Sequence, residues 1–121
     1  MNVLVVDDDP IVVASCRRVL ERERFLVTVA SNADDALRIL EAGRFDLMLA
    51  DIKMPGKDGL FLLERARIRW PDIRVLVISG YPTPETVSLS RTAGANAFLP
   101  KPFTPDELME AIRGVTKGGS R

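Results

Sequence analysis

The feature that most constrains this fold is a regular alternation of short apolar runs with longer helical patterns. The runs are rich in Val, Ile and Leu, and turn residues bound them. Short runs of this kind, separated by helical segments, are typical of buried parallel strands. Strict alternation of strand and helix predicts right-handed crossovers, one parallel sheet and helices on both of its faces. The predicted strands are residues 2–6, 26–30, 45–50, 73–78 and 97–99.

Five helices are predicted to follow these strands, and two of them carry clear start signals. Thr83 and Pro84 can open the fourth helix, and Thr104 with Glu107 forms a capping box at the fifth. The pattern fits an α/β, flavodoxin-like three-layer sandwich, with a five-stranded parallel sheet of order 2-1-3-4-5 and five helices. The predicted helices are residues 10–23, 33–41, 60–70, 84–93 and 105–115.

Length and composition narrow the class of protein. With 121 residues the chain fits one domain, which we predict to span residues 1–115, with residues 116–121 as a flexible tail or the start of a linker. Seventeen basic and seventeen acidic residues argue against binding to nucleic acid through phosphate contacts alone. Cys16 is a lone cysteine, and neither a secretion signal nor a membrane-spanning run is present. The prediction is a soluble cytoplasmic protein.

Reactive polar residues end four of the predicted strands. Because ligands of open α/β sheets bind at the carboxyl ends of the strands, these side chains should converge on one edge. The order 2-1-3-4-5 makes strands one and three neighbours, so their aspartates should meet at the switch point. Carboxylates that cluster in this way are ligands that Mg²⁺ takes in proteins. The residues concerned are Asp7, Asp8, Asp51, Ser79 and Lys101.

Three motifs in this order resemble the response-regulator receiver domain of two-component signalling. They are VVDDDP at 5–10, DLMLADIKMP at 46–55 with DG at 58–59, and LPKPF at 99–103. Each motif alone is weak, but the set at these separations is highly specific. The resemblance covers the chain to about Val115.

The resemblance implies a phosphorylation-dependent switch rather than an enzyme with an external substrate. The domain would accept a phosphoryl group from a phosphohistidine of a sensor histidine kinase or a histidine phosphotransfer protein, with Mg²⁺ as cofactor. It would catalyse only this transfer and its own slow dephosphorylation. The implied roles are Asp51 as phospho-acceptor, Asp7, Asp8, Asp51 and the backbone carbonyl of Lys53 as metal ligands, Lys101 as phosphoryl contact, Ser79 as switch hydroxyl and Phe98 as switch aromatic.

The same resemblance implies an output through the face built from helix four, strand five and helix five. That face would control an output domain or an effector protein, with neither direct nucleic-acid binding nor membrane contact by this domain. Phosphorylation-dependent dimerisation is compatible with the resemblance, although no sequence feature requires it. Lys53 and Tyr81 occupy the variable positions that tune the lifetime of the phosphoryl group in the family.

Several of these residues also have plainer interpretations. Asp9 precedes Pro10, so the sequence supports a role as a helix cap and a role as a metal ligand equally well. Phe98 is first a core aromatic, and Ser79 on its own would be an ordinary loop hydroxyl. The resemblance also leads us to expect a cis Lys101–Pro102 bond.

Two other classes of protein remain to be weighed. A small Mg²⁺-dependent aspartyl-phosphate phosphatase of the haloacid-dehalogenase type would use Asp7 as its nucleophile, but Ile11 stands where that motif has Thr. A flavodoxin-like cofactor carrier would need a Ser-, Thr- and Gly-rich loop after strand one, where residues 7–9 are acidic and would repel phosphate.

Overall fold

Five parallel strands form the centre of the molecule, in the order 2-1-3-4-5 when numbered along the chain. The computed structural model describes residues 1–53, 59–80 and 82–118. The predicted fold class and strand order are confirmed. No helix in these three ranges is long and apolar enough to cross a membrane. The strands are β1 (Asn2–Val6), β2 (Leu26–Ala30), β3 (Leu47–Asp51), β4 (Arg74–Ser79) and β5 (Ala97–Pro100).

Helices cover both faces of the sheet, so the strands of its centre are buried on both sides. One apolar cluster joins alternate strand residues to the second and third helices and the end of the fourth. A second cluster joins the intervening strand residues to the first and fifth helices. Near-continuous apolar strands are the sequence signature of such doubly covered sheets. Cys16 is buried in the second cluster, as expected for a small apolar side chain. The helices are α1 (Pro10–Arg22), α2 (Ala33–Ala42), α3 (Gly59–Arg69), α4 (Pro84–Thr92) and α5 (Pro105–Gly118).

Side-chain caps fix where the helices begin. The Thr83 hydroxyl accepts the Thr86 amide of α4 at 3.1 Å, and the Asn32 side chain accepts the Asp35 amide of α2 at 2.8 Å. At α5 the predicted capping box is complete. Its two reciprocal bonds run from the Glu107 amide to Thr104 Oγ1 and from the Thr104 amide to Glu107 Oε1.

The ends of some elements differ from their predicted positions. β3 includes Asp51 and β4 includes Ser79, so both polar residues close their strands rather than follow them. α5 continues to Gly118, past the predicted end at Val115, and the Thr116 hydroxyl donates to the Ile112 carbonyl at 2.9 Å along this extension. Residues 54–58, Tyr81 and residues 119–121 lie outside the described residues. The division into domain and tail therefore stays a prediction.

The Arg67 guanidinium joins three segments on the α3 face. It donates to the carbonyls of Pro71 at 2.8 Å, Ile73 at 2.9 Å and Gly94 at 2.6 Å. Burial, and after it the charge of Arg74, lowers the pKa of Arg67 below its ordinary value, and the carbonyl bonds compensate for the lost hydration. Gly94 has a φ of 112°, and a Cβ there would lie 2.9 Å from the Arg67 Nε. The clamp thus ties the start of β4 to the loop before β5.

The C-terminus of α1 is a Schellman motif built without glycine. The Phe25 amide donates to the Leu20 carbonyl and the Arg24 amide to the Glu21 carbonyl, both at 3.0 Å. Arg24 has a φ of 67°, in the left-handed region that favours glycine. An L-residue with a side chain is strained at this position.

Replacing Arg24 by Gly should therefore raise the free energy of unfolding, by about 0.5–1 kcal/mol, because relief of the left-handed strain exceeds the entropy that glycine adds to the unfolded chain. Urea denaturation followed by circular dichroism measures this change. The matched control is Gly94→Ala, which must lower stability because it places a Cβ in the left-handed region against Arg67. A less stable Arg24→Gly protein would contradict the strain argument.

Candidate functional site

The ends of β1, β3 and β5 supply the charged residues of the site. Asp7 directly follows β1, and Asp51 is the last residue of β3. β1 and β3 are neighbours in register, with Val6 opposite Ala50, so the two aspartates leave the sheet side by side. Lys101 directly follows β5 and is brought to the same edge.

Three carboxylates form one cluster at this edge. One oxygen each from Asp7, Asp8 and Asp51 lies within 4.8 Å of the other two. Asp7 is 1% exposed and Asp51 is 5% exposed, whereas Asp8 is open to solvent. Oxygen donors of this type, two buried and one open, fit Mg²⁺, which takes one or two carboxylates and keeps water on its open side. The predicted ligand set Asp7, Asp8 and Asp51 is thus brought together.

The Lys101 ammonium bridges the two buried carboxylates. Its Nζ donates to Asp7 Oδ2 at 2.9 Å and to Asp51 Oδ2 at 2.8 Å. The Lys101–Pro102 bond is cis, as expected. The Lys101 amide also donates to the Ser79 carbonyl at 2.7 Å, which links β5 to the end of β4.

Backbone amides hold the other oxygen of each buried carboxylate. The Asp9 amide donates to Asp7 Oδ1, and the Lys53 amide donates to Asp51 Oδ1, both at 2.9 Å. Amide and ammonium donors together fix both carboxylate planes, so the cluster is oriented before any cation arrives. These amide donors were not predicted. The signal that could have indicated them is an aspartate in a turn, whose side chain can accept the backbone amide two residues later.

Gly59 at the start of α3 packs directly on the end of β3. A Cβ at this position would overlap the Asp51 carbonyl oxygen and the Ile52 Cα. Only glycine allows α3 to approach β3 this closely. The approach fixes the backbone that carries Asp51.

The charge balance of the site is unfavourable for Asp7. Burial raises the pKa of Asp7 above its ordinary 3.8, with a further contribution from the Asp51 charge, although the Asp9 amide and Lys101 act in the opposite direction. For Lys101, burial alone would lower the pKa, but hydrogen bonds and charge interactions with Asp51 and Asp7 outweigh it and raise the pKa above 10.5. Burial, and after it the nearby Asp7, raises the pKa of the Cys16 thiol to about 11. The thiol therefore stays protonated.

The remaining predicted residues are placed as follows. Asp9 caps α1, its Oδ1 accepting the Ile11 amide at 2.9 Å, so the capping interpretation is confirmed. Ser79 is fully buried at the end of β4. Phe98 is half-buried and packs against the first apolar cluster, as a core aromatic does. The roles predicted for Ser79, Phe98 and the Lys53 carbonyl stay predictions.

The fold and the site together identify the family. The family described as response regulator receiver domain matches residues 3–113. The chain belongs to the response regulator receiver domain family of two-component signalling.

Individual relatives agree with this assignment. The chain is 38% identical over 113 residues to the hydrogenase transcriptional regulatory protein HoxA of Bradyrhizobium diazoefficiens, covering 93% of this chain and 23% of HoxA. It therefore spans about a quarter of the length of that relative. Among solved structures, a CheY-like receiver domain protein of Methanospirillum hungatei superposes with a TM-score of 0.93 at 34% identity, covering 98% of this chain and 95% of that one. TrrA of Thermotoga maritima, a response regulator protein solved in complex with Mg(2+)-BeF, superposes with a TM-score of 0.85 at 30% identity, covering 94% and 97%.

Neutralising Asp7 should stabilise the metal-free protein at neutral pH. Because the pKa of Asp7 is raised in the folded state, its contribution to stability is most favourable at acidic pH and is lost as the pH rises through the folded pKa. Asp7→Asn should raise the free energy of unfolding at pH 7 by about 1–2 kcal/mol, because it removes the desolvation cost of a buried charge and, after it, the repulsion from Asp51. Below about pH 4 the gain should vanish, as urea denaturation at several pH values would measure.

The matched control is Asp9→Asn, which removes a charge from the same acidic stretch but keeps the cap oxygen. Its stability should change by less than about 0.5 kcal/mol. Saturating Mg²⁺ should reverse the order, because the wild type gains binding energy that Asp7→Asn has lost. A gain that is equal for both variants, or independent of pH, would contradict the account that the buried charge of Asp7 destabilises the metal-free protein.

Proposed function

We propose that this domain is a Mg²⁺-dependent phospho-acceptor switch that takes a phosphoryl group onto Asp51 from a phosphohistidine. The donor would be a sensor histidine kinase or a histidine phosphotransfer protein. The observation that carries the proposal is the bridge of Lys101 Nζ to Asp51 and Asp7, at 2.8 and 2.9 Å, beside the three-carboxylate cluster. This is the charge arrangement that phosphoryl transfer to a carboxylate needs, since the catalysis consists mostly of positioning and charge neutralisation.

The proposed transfer is a single displacement. A carboxylate oxygen of Asp51 forms a bond to phosphorus while the bond from phosphorus to the histidine nitrogen breaks, and the electron pair of that bond returns to the imidazole ring. The Lys53 amide holds the Asp51 carboxylate in a fixed orientation, which limits the entropy lost on attack. Asp7, Asp8, Asp51 and the Lys53 carbonyl would hold Mg²⁺, which would supply positive charge to the transferring phosphoryl group.

Lys101 is the residue whose partners would change on phosphorylation. Its ammonium can exchange the Asp51 carboxylate for an oxygen of the new phosphoryl group, which carries more negative charge. Because the Lys101 amide is bonded to the Ser79 carbonyl, a movement of Lys101 is transmitted to the end of β4. Ser79, as switch hydroxyl, would turn toward the phosphoryl group.

Phe98 would carry this change to the surface. It lies on β5 opposite Val77 of β4 and is half-buried, so its ring can move between a packed and a more exposed position. A change there alters the face of α4, β5 and α5, and a partner that prefers one arrangement shifts its population. The partner would be an output domain or an effector protein in the cytoplasm.

The comparisons support parts of this proposal. TrrA, whose fold this chain shares, was solved with Mg(2+)-BeF, which fits a site that takes Mg²⁺ and a phosphoryl group. HoxA is a transcriptional regulatory protein several times longer than this chain, which fits control of an output outside the receiver domain. The phosphatase alternative would need Asp7 as nucleophile, yet Asp7, at 1% exposed, is more deeply buried than Asp51 at 5%.

Incubation with acetyl phosphate and Mg²⁺ tests the assignment of the acceptor. Wild-type protein should gain the mass of one phosphoryl group, and Asp51→Asn should lose labelling at least about a hundredfold, because the nucleophile is gone. Intact-mass spectrometry measures the label, and borohydride trapping with peptide mapping locates it. Removing Mg²⁺ with EDTA should also abolish labelling.

Two further variants separate the alternatives. Asp7→Asn should label slowly but still on the peptide with Asp51, whereas the phosphatase alternative requires that it lose all label. Asp9→Asn, the charge-matched control, should label at the wild-type rate, because it keeps the backbone amide that donates to Asp7 and changes only the side chain that caps α1. Undiminished labelling of Asp51→Asn would refute the proposal.

A further inference from the structure

The two edges of the sheet differ in how well they are protected. The β5 edge is short and contains Pro100, which has no amide to offer a further strand. The β2 edge has the sequence LVTVA, with neither charge nor proline, and its Leu26 is 69% exposed. An edge strand that is uncharged, apolar and partly open is a template for pairing with another strand.

The hydrogen-bonding groups on the outer side of β2 belong to Val27 and Val29. Alternate residues of a parallel strand face the neighbouring strand. The Leu26 amide donates to the Met1 carbonyl, and the Ala30 carbonyl accepts from the Asp7 amide. The backbone amides and carbonyls of the even-numbered residues of β2 therefore point toward β1. The amides and carbonyls of Val27 and Val29 therefore point outward, away from the sheet.

Grooves run along this outer side. The upper groove, of about 750 Å³, lies beside Val29 and Ala30. Its lining is mainly apolar and includes Ile39 and Ala42 of α2, and its charged members include Asp8, Asp35 and Arg38. The lower groove, of about 390 Å³, lies beside Leu26 and Val27. Leu26 thus projects at one end of β2, and an apolar recess opens at the other.

We infer that the β2 edge pairs with the β2 edge of a second copy of this chain, as antiparallel strands related by a two-fold axis at Thr28. In that register Val27 faces Val29 of the second copy, so the outward groups of both valines exchange hydrogen bonds. Thr28 faces its own equivalent as a non-hydrogen-bonded pair, in which side chains approach closely. The register that satisfies the backbone is therefore also the symmetric one.

Side-chain shape supports the same register. Leu26 comes to lie opposite Ala30 of the second copy, where the upper groove is lined by Ile39 and Ala42. The exposed leucine of each copy thus enters the apolar recess of the other. A twofold interface has this property because one surface must complement itself.

Charge supports the second copy as the occupant. On α1, Arg17 borders the upper groove and Glu21 borders the lower one. Pairing Val27 with Val29 of the second copy brings Arg17 toward Glu21 of that copy, and the reverse. These residues already form an ion pair within one chain at 3.1 Å, so the interface would join two such pairs into one network of alternating charge.

Analytical ultracentrifugation from roughly 1 µM to 1 mM tests the inference, with a reversible monomer–dimer equilibrium expected in that range. Leu26→Lys should weaken dimerisation at least about tenfold. The substitution places a charge in the apolar recess of the second copy, and charged lysines on an edge strand oppose pairing of that edge. The matched control is Ile68→Lys on α3, an equally exposed apolar residue at 77% that lies away from β2 and should leave the equilibrium unchanged. A wild-type protein that stays monomeric, equal effects of the two lysines, or species larger than dimers would overturn the inference.

Cross-linking tests the register. Thr28→Cys should form a disulfide-linked dimer under mild oxidation, since the two equivalents are adjacent across the axis. Leu26→Cys should not, because its equivalent lies about 14 Å away along the paired strands. Cys16 is buried and does not compete. The reverse pattern would contradict the register, and dimerisation of Asp51→Asn should equal that of wild type because the inference is independent of the proposed function.

Discussion

The organisation of the site depends on one interaction, the bridge from the Lys101 ammonium to the carboxylates of Asp7 and Asp51. Two carboxylates about 4 Å apart repel by about 4 kcal/mol at an effective dielectric of about 20, and burial adds a desolvation cost. Lys101 offsets part of this energy, and the amides of Asp9 and Lys53 offset more. The raised pKa of Asp7 indicates that the compensation is incomplete. The site therefore retains affinity for additional positive charge.

The scaffold holds these charges rigidly while one side stays adjustable. Asp7 and Asp51 follow adjacent central strands, and Gly59 lets α3 pack closely on the backbone of Asp51. Lys101 instead follows the edge strand β5, next to the face proposed to respond to phosphorylation. The Arg67 clamp fixes the loop that leads into β5, so movement should be concentrated at the opposite end of β4 and β5, where Ser79 and Lys101 lie. The rigid nucleophile, Asp51, and the adjustable cation, Lys101, thus come from different strands.

Periodicity and strand ends were enough to predict the fold and the convergence of Asp7, Asp8 and Asp51, because parallel strands bring their carboxyl ends to one edge. The resemblance added the roles of single residues and the cis Lys101–Pro102 bond. Two features were not predictable in detail: the contact of Arg67 with Gly94, which is distant in the chain, and the left-handed backbone of Arg24. Neither feature changes the hydropathy pattern from which the fold was predicted. Asp9 was ambiguous because a cap and a metal ligand require the same residue type.

A comparison of the Mg²⁺ affinity of the wild-type protein with that of Lys101→Met tests the central claim most directly. Calorimetric titration should give saturable binding to wild type, and the variant should bind at least about tenfold more tightly because a competing positive charge has been removed. Asp8→Asn in either background should weaken binding. Absence of saturable binding in both proteins, or equal or weaker binding by Lys101→Met, would contradict the account of a carboxylate cluster only partly neutralised by its lysine.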